Sequence, residues 1–106
     1  MDFTSLQKQN FNVNMWRTIQ VGKSLYCLSD RNVPEFKKYE RLDHKMAQEF
    51  MLAKPRVARF SASLSNYANE FIFVIGGNSP STYRDLASTS IYEIETNKWK
   101  VAPDLN

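Results

Sequence analysis

The chain of 106 residues is poor in the residues that most often mark chemistry. It has one cysteine (Cys27), one histidine (His44), three glycines and four prolines. A single cysteine excludes an intrachain disulfide and with it the small disulfide-rich secreted scaffolds. A zinc site needs about four Cys, His, Asp or Glu ligands in a compact spacing, and no such spacing is present. No apolar run exceeds the five residues Phe71–Ile75, against the roughly 20 that span a bilayer. Residues 1–14 lack the basic and apolar stretches of a secretory leader. The expectation is a soluble intracellular protein, by default cytoplasmic, with no membrane partner.

What the chain does hold is bulk. Aromatic residues make up 13%, with seven Phe, five Tyr and two Trp, and hydrophobic residues 42%. That is enough apolar area for a packed core, which excludes wholesale disorder. The net charge of +3 is a mild excess of base. Its densest group, Lys37, Lys38, Arg41 and Lys45, is interleaved with Glu35, Glu40 and Asp43. Such mixing reads as a solvated face rather than a nucleic-acid footprint.

The second half of the chain is the more legible. Phe71–Ile75 is continuously apolar and closed by Gly76-Gly77, so it reads as a strand covered on both faces. The paired glycines permit a bend with positive φ. Residues 78–87 have loop composition. Residues 88–95 form a second strand around Ile91, Tyr92 and Ile94. Thr96-Asn97 marks a turn, because Asn tolerates left-handed geometry. Trp99 and Val101, alternating with lysines, begin a third strand. Residues 59–64 supply a shorter strand before a polar turn at 65–70. Four short sequential strands point to one antiparallel four-stranded sheet.

In order, Pro55-Arg56, Phe60-Ser61-Ala62, the apolar strand with its double glycine, and Ile91-Tyr92-Glu93-Ile94-Glu95-Thr96-Asn97-Lys98-Trp99 resemble one kelch repeat. The resemblance implies an all-β fold: a kelch-type β-propeller fragment of about two four-stranded antiparallel blades. The first half repeats the pattern in degenerate form. Leu25 to Asp30 align with Ile72 to Gly77 at an offset of 47, and Lys38-Tyr39-Glu40 with Ile91-Tyr92-Glu93 at 53. At the second offset Met46 falls on Trp99, His44 on Asn97 and Leu52 on Leu105. Ser29-Asp30 and Met46 then stand where the second unit has its double glycine and its tryptophan. The implied organisation is an N-terminal segment or end of a preceding blade (1–14), a degenerate blade (15–54) and a kelch blade (55–106). On that reading the chain is a fragment cut at a repeat boundary, needing further blades or other copies to close a ring.

A competing local signal covers residues 34–53. Phe36, Tyr39, Leu42, Met46 and Phe50 make a helical stripe behind Pro34 at a first-turn position. A helix there would favour a small α+β domain. The repeat register favours strands.

By resemblance the function is protein–protein interaction, as a scaffold or substrate-recognition element with a partner that the sequence does not name. Catalysis, a cofactor and a bound metal are not expected. The alternative is part of a kelch-like propeller enzyme. Loops that leave equivalent strands emerge on one face, so Arg31, Asn32, Tyr83 and Arg84 are the candidate partner-binding residues. Gly76, Gly77, Tyr92 and Trp99 are expected to be structural, and Cys27 to be a small buried apolar group. Read as a phosphate loop, Gly76-Gly77 lacks the third glycine, the Lys-Ser/Thr pair and the following helix.

Overall fold

The structure is a computed structural model, and it describes residues 16–29, 34–41, 47–82 and 84–102. Eight strands occur in chain order: β1 (Trp16–Val21), β2 (Ser24–Ser29), β3 (Phe36–Arg41), β4 (Ala47–Met51), β5 (Ser63–Tyr67), β6 (Phe71–Ile75), β7 (Thr89–Glu93) and β8 (Lys98–Ala102). They form two four-stranded sheets, β1-β2-β3-β4 and β5-β6-β7-β8, in which every neighbouring pair is antiparallel. No helix occurs among the described residues.

The helical stripe of residues 34–53 resolves into two strands. Phe36 and Tyr39 are three apart, so on a strand they point to opposite faces. Phe36 is 0% exposed and Tyr39 7%. A strand buried on both faces thus imitates the i, i+3 spacing of a helix. Leu42, His44 and Met46 lie outside the described residues.

Two other expectations need correction. The first strand of the second sheet is Ser63–Tyr67, not 59–64, and its turn is confined to 68–70. Ser63, Ser65 and Asn66 are polar because that part of the strand is exposed, and this polarity mimicked a turn. Ala68 and Asn69 carry the positive φ that reverses the chain (54° and 56°). The second correction concerns Phe71–Ile75, which is covered on one face only. Ile72 and Val74 are buried, Phe71 and Phe73 are half-buried, and Ile75 is exposed. Among the described residues β6's sheet has one neighbouring sheet, and the other side of β6 looks away from it.

Ladder register also corrects the internal alignment. Tyr39 pairs with Glu49 as Tyr92 pairs with Trp99. The tryptophan's counterpart is therefore Glu49, not Met46, and Leu52 corresponds to Ala102 rather than Leu105. The β3–β4 connection is longer than the β7–β8 connection, which shifts every later position. For β2 and β3 the offsets of 47 and 53 agree with the ladders, since Tyr26 opposes Lys38 as Phe73 opposes Ile91.

The core lies between the sheets. Val21, Tyr26, Leu28 and Phe36 of the first meet Ala62, Ile72, Val74 and Tyr92 of the second, with Ile19, Leu52, Leu64, Ile94 and Trp99 at the margin. Backbones approach most closely where β1 runs beside β5. Away from that edge the gap is filled by rings. Phe36 meets Tyr92 at 4.7 Å and Trp99 at 4.9 Å, both edge to face, and Tyr26 lies 5.8 Å from Phe36. Such geometry suits the quadrupoles of aromatic rings.

Truncating this cluster should leave a cavity. Trp99→Ala is expected to cost ~3–5 kcal/mol, whereas Val101→Ala, on an exposed side chain of the same strand, should change stability by less than about 0.5 kcal/mol. Urea denaturation of both variants checks this, and equal losses would contradict it.

Candidate interaction surface

β2 and β6 occupy equivalent places in their sheets, so the connections that follow them leave from the same end. Of the candidate loop residues, Arg31, Asn32 and Tyr83 lie outside the described residues. Arg84 is exposed at the end of the β6–β7 connection.

That connection is built rather than loose. Phe60 and Asn78 form a bridge with reciprocal backbone hydrogen bonds of 2.9 Å, and Asn78 bridges Asp85 in turn. Ser79 N donates to Arg84 O and Leu86 N to Gly77 O, each at 2.9 Å. The loop therefore carries a narrow extension of the sheet beyond the double glycine. Arg56, Val57 and Ala58 face Ser79, Pro80 and Ser81 across an open cleft of about 370 Å³.

The two glycines act differently. Both have positive φ (71° and 84°). A Cβ on Gly76 would meet open space, whereas one on Gly77 would come 2.5 Å from the Phe60 carbonyl oxygen and 3.2 Å from the Ala62 backbone. Gly77 is needed for close approach of two backbones as well as for its φ.

The residue that holds this end together is Arg59. The residue is 2% exposed, and its guanidinium donates to Gly76 O (2.9 Å), Ser88 O (2.8 Å), Ser88 Oγ (3.0 Å) and Ser90 Oγ (3.1 Å). Gly76 and Ser88 begin and end the β6–β7 connection, so one side chain staples both ends of the loop. Its Nε is buried without a hydrogen-bond partner. Burial lowers the Arg59 pKa from the usual arginine range. A guanidinium nonetheless stays protonated in proteins, and carbonyl and hydroxyl dipoles solvate its charge here. The sequence reading passed over Arg59 and placed the opening pair at Pro55-Arg56, whose arginine is exposed. One signal was available: Arg59 sits among Val57, Ala58, Phe60 and Ala62 with no acid nearby in sequence. In the first sheet Ser29 takes the place of Gly76, and there its Oγ accepts from Glu35 N at 2.9 Å while Ser29 N donates to Glu35 O.

At the opposite end a second staple joins the sheets. Asn97 has a φ of 54°, and its Oδ1 accepts from Tyr92 Oη at 2.7 Å and from Ala53 N at 2.9 Å. Trp99 Nε1 donates to Ala53 O at 2.7 Å. The β7–β8 turn thereby grips the linker that leaves the first sheet. Burial raises the Tyr92 pKa, and nearby Tyr26 adds to the rise, so this phenol stays a donor.

The outer face of the first sheet is roofed by polar groups. Lys37 Nζ lies 4.3 Å over the Trp16 ring and 3.3 Å from Glu49 Oε2, which also accepts from Tyr39 Oη at 2.7 Å. Trp16 is on β1 and Lys37 on β3, so their contact passes over β2, where Cys27 is fully buried. Burial pushes the Cys27 thiol up to about 12, which leaves it protonated and unreactive at neutral pH. The Tyr39 hydrogen bond, aided by Lys37 and opposed by partial burial, lowers the Glu49 pKa.

Among the described residues no group of three or more His, Cys, Asp or Glu could hold a metal ion. No described helix is long and apolar enough to cross a membrane. Compared with known families and curated proteins, the chain matches no family model and no curated sequence.

These contacts rank three substitutions. Gly76→Ala should cost ~1–2 kcal/mol for its φ alone, and Gly77→Ala measurably more, because a backbone must move. Arg59→Met, which strands the Gly76 and Ser88 carbonyls, should cost ~2–4 kcal/mol. It should also raise amide exchange in residues 76–88 above the rest of the sheet. Uniform exchange across the chain would show that Arg59 does not staple the loop.

Proposed function

We propose that the chain is a non-catalytic protein-interaction module, part of a kelch-type propeller, which presents the β6–β7 connection to a protein partner. The observation that supports the propeller reading is the wedge between the sheets. Propellers set four-stranded sheets radially about an axis. Neighbouring blades then converge at their inner strands and splay at their outer ones. Here β1 and β5 run side by side, and Phe36, Tyr92 and Trp99 fill the wider space beyond them.

The site reading follows from rigidity. A loop held at both ends by Arg59 and laddered to Phe60 loses little conformational freedom on binding, which favours affinity. Exposed Arg84, beside Asp85 and next to the cleft mouth of Pro80 and Ser81, offers the planar donor group enriched at hot spots. Arg31 and Asn32, which follow β2 in sequence as the β6–β7 connection follows β6, are assigned to the same proposed surface. The β7–β8 turn at the opposite end is engaged by the linker at Ala53.

The test is a photo-activatable residue placed at position 84 and, as control, at exposed position 96 of the β7–β8 turn. Position 84 should yield discrete crosslinked partners in cell extract, and position 96 should not. With a partner in hand, Arg84→Ala should weaken binding by ~1–2 kcal/mol and leave the unfolding midpoint unchanged. Identical crosslinks from both positions would sink the proposed surface.

A further inference from the structure

The cleft beside the β6–β7 connection holds a chemistry that the proposed partner contact does not use. One wall carries Arg56, an exposed residue with no ion pair among the described residues. The other wall is Ser79, Pro80 and Ser81. Asp85, the acid of the same connection, does not line the cleft and accepts from Asn78 Nδ2 at 3.4 Å. A guanidinium thus faces two hydroxyls with no carboxylate between them, a donor set that suits a phosphate. The cleft of about 370 Å³ has room for one, since a water occupies roughly 30 Å³.

The phosphate can be built on the chain itself. Ser79-Pro80 is the one place in the 106 residues where a Ser or Thr precedes a Pro. Proline has no backbone N–H. A kinase with no hydrogen-bond acceptor in its pocket for the following residue therefore takes proline there. It rejects residues that would bury an unpaired N–H. Ser81 and Thr82 are more exposed than Ser79, but Thr82 and Tyr83 follow them, so they lack that mark. Ser79 opens the tip of the connection, which its N–H closes by donating to Arg84 O at 2.9 Å. The base beneath is held separately, by Arg59 and by the Phe60–Asn78 bridge. Releasing the tip into a kinase cleft leaves that base intact.

We propose that Ser79 is a phosphorylation site for a proline-directed kinase, and that Arg56 holds the resulting phosphate across the cleft. Ser79 Oγ attacks the γ-phosphorus of ATP, the bond to the ADP oxygen breaks, and the hydroxyl proton passes to the kinase's catalytic base. The product carries a charge of about −2 near neutral pH and strong acceptor oxygens. The Ser81 hydroxyl, 3.1 Å from Ser79 Oγ, donates to one of them, and the planar Arg56 guanidinium donates to others. Ser79 and Arg84 are cross-strand neighbours, so the phosphate also draws on the Arg84 side chain. Modification then withdraws Arg84 from a partner, a consequence that rests on the interaction surface proposed above.

The experiment incubates the folded full chain with ATP and a cyclin-dependent kinase, with a basophilic kinase as control, and locates the label by tandem mass spectrometry. One phosphate is expected, on Ser79, from the first kinase. Ser79→Thr should keep labelling and Ser79→Ala abolish it, both with an unchanged circular dichroism spectrum. Pro80→Ala should slow labelling ~10-fold or more, the effect of one unpaired N–H. No label, a label elsewhere, or a label that appears only after denaturation would overturn the site. Phosphorus NMR of the labelled chain reads the clamp. The second phosphate pKa should lie below its ordinary value of about 6, and Arg56→Gln should restore it. A pKa indifferent to residue 56 would overturn the clamp. Neither readout needs a partner. Crosslinks from position 84 that phosphorylation leaves unchanged would overturn the regulation alone. Absence of specific crosslinks from position 84 would remove the surface and its regulation, and leave the labelling result to decide the site.

Discussion

The aromatic contact between the two sheets is the interaction on which the rest of the architecture depends. The faces on which the two sheets meet are covered only by each other, because a four-stranded ribbon needs a neighbour to bury large side chains. Phe36 sits at the centre, with Tyr26 on its own sheet and Tyr92 and Trp99 across the gap. The sheets approach most closely at β1 and β5, and these rings fill the wedge beyond them. Asn97 and Trp99 secure it by holding the linker at Ala53.

Against that wedge, the buried Arg59 organises the loop end of the second sheet without adding to the apolar core. A desolvated guanidinium that makes no carboxylate contact costs free energy. Its four hydrogen bonds to residues 76, 88 and 90 direct that cost into ordering the β6–β7 connection. The first sheet solves the same problem with Ser29 and Glu35, a smaller device. The two units therefore share a topology and differ in how each closes its loop end.

Three strands of the second half, β6, β7 and β8, were legible because local chemistry and tertiary context agree there, whereas the exposed polar residues of β5 read as a turn. Phe71–Ile75 is too apolar and β-branched for a loop, and Gly76-Gly77 stops it. Residues 36–51 were ambiguous because burial on both faces of β3 produces helical spacing. β1 went unread, since Trp16, Ile19 and Val21 give too little alternation in six residues. At the candidate site Arg84 was legible as a loop residue. Arg59 was not, because nothing local marks a buried arginine whose partners lie 17 to 31 residues away.

By itself the sequence determined the class of structure: strand-length apolar runs, glycine and asparagine at the positive-φ turns, and a repeat that places two similar units in tandem. Those properties depend on backbone sterics and on side-chain alternation within a few residues. Register between distant strands was decided only in three dimensions. Glu49 rather than Met46 is the counterpart of Trp99 because ladder hydrogen bonds, and not residue counting, absorb the longer β3–β4 connection. Likewise only the assembled sheets show which face of β6 is covered, since a strand's two faces are distinguished by what packs on them.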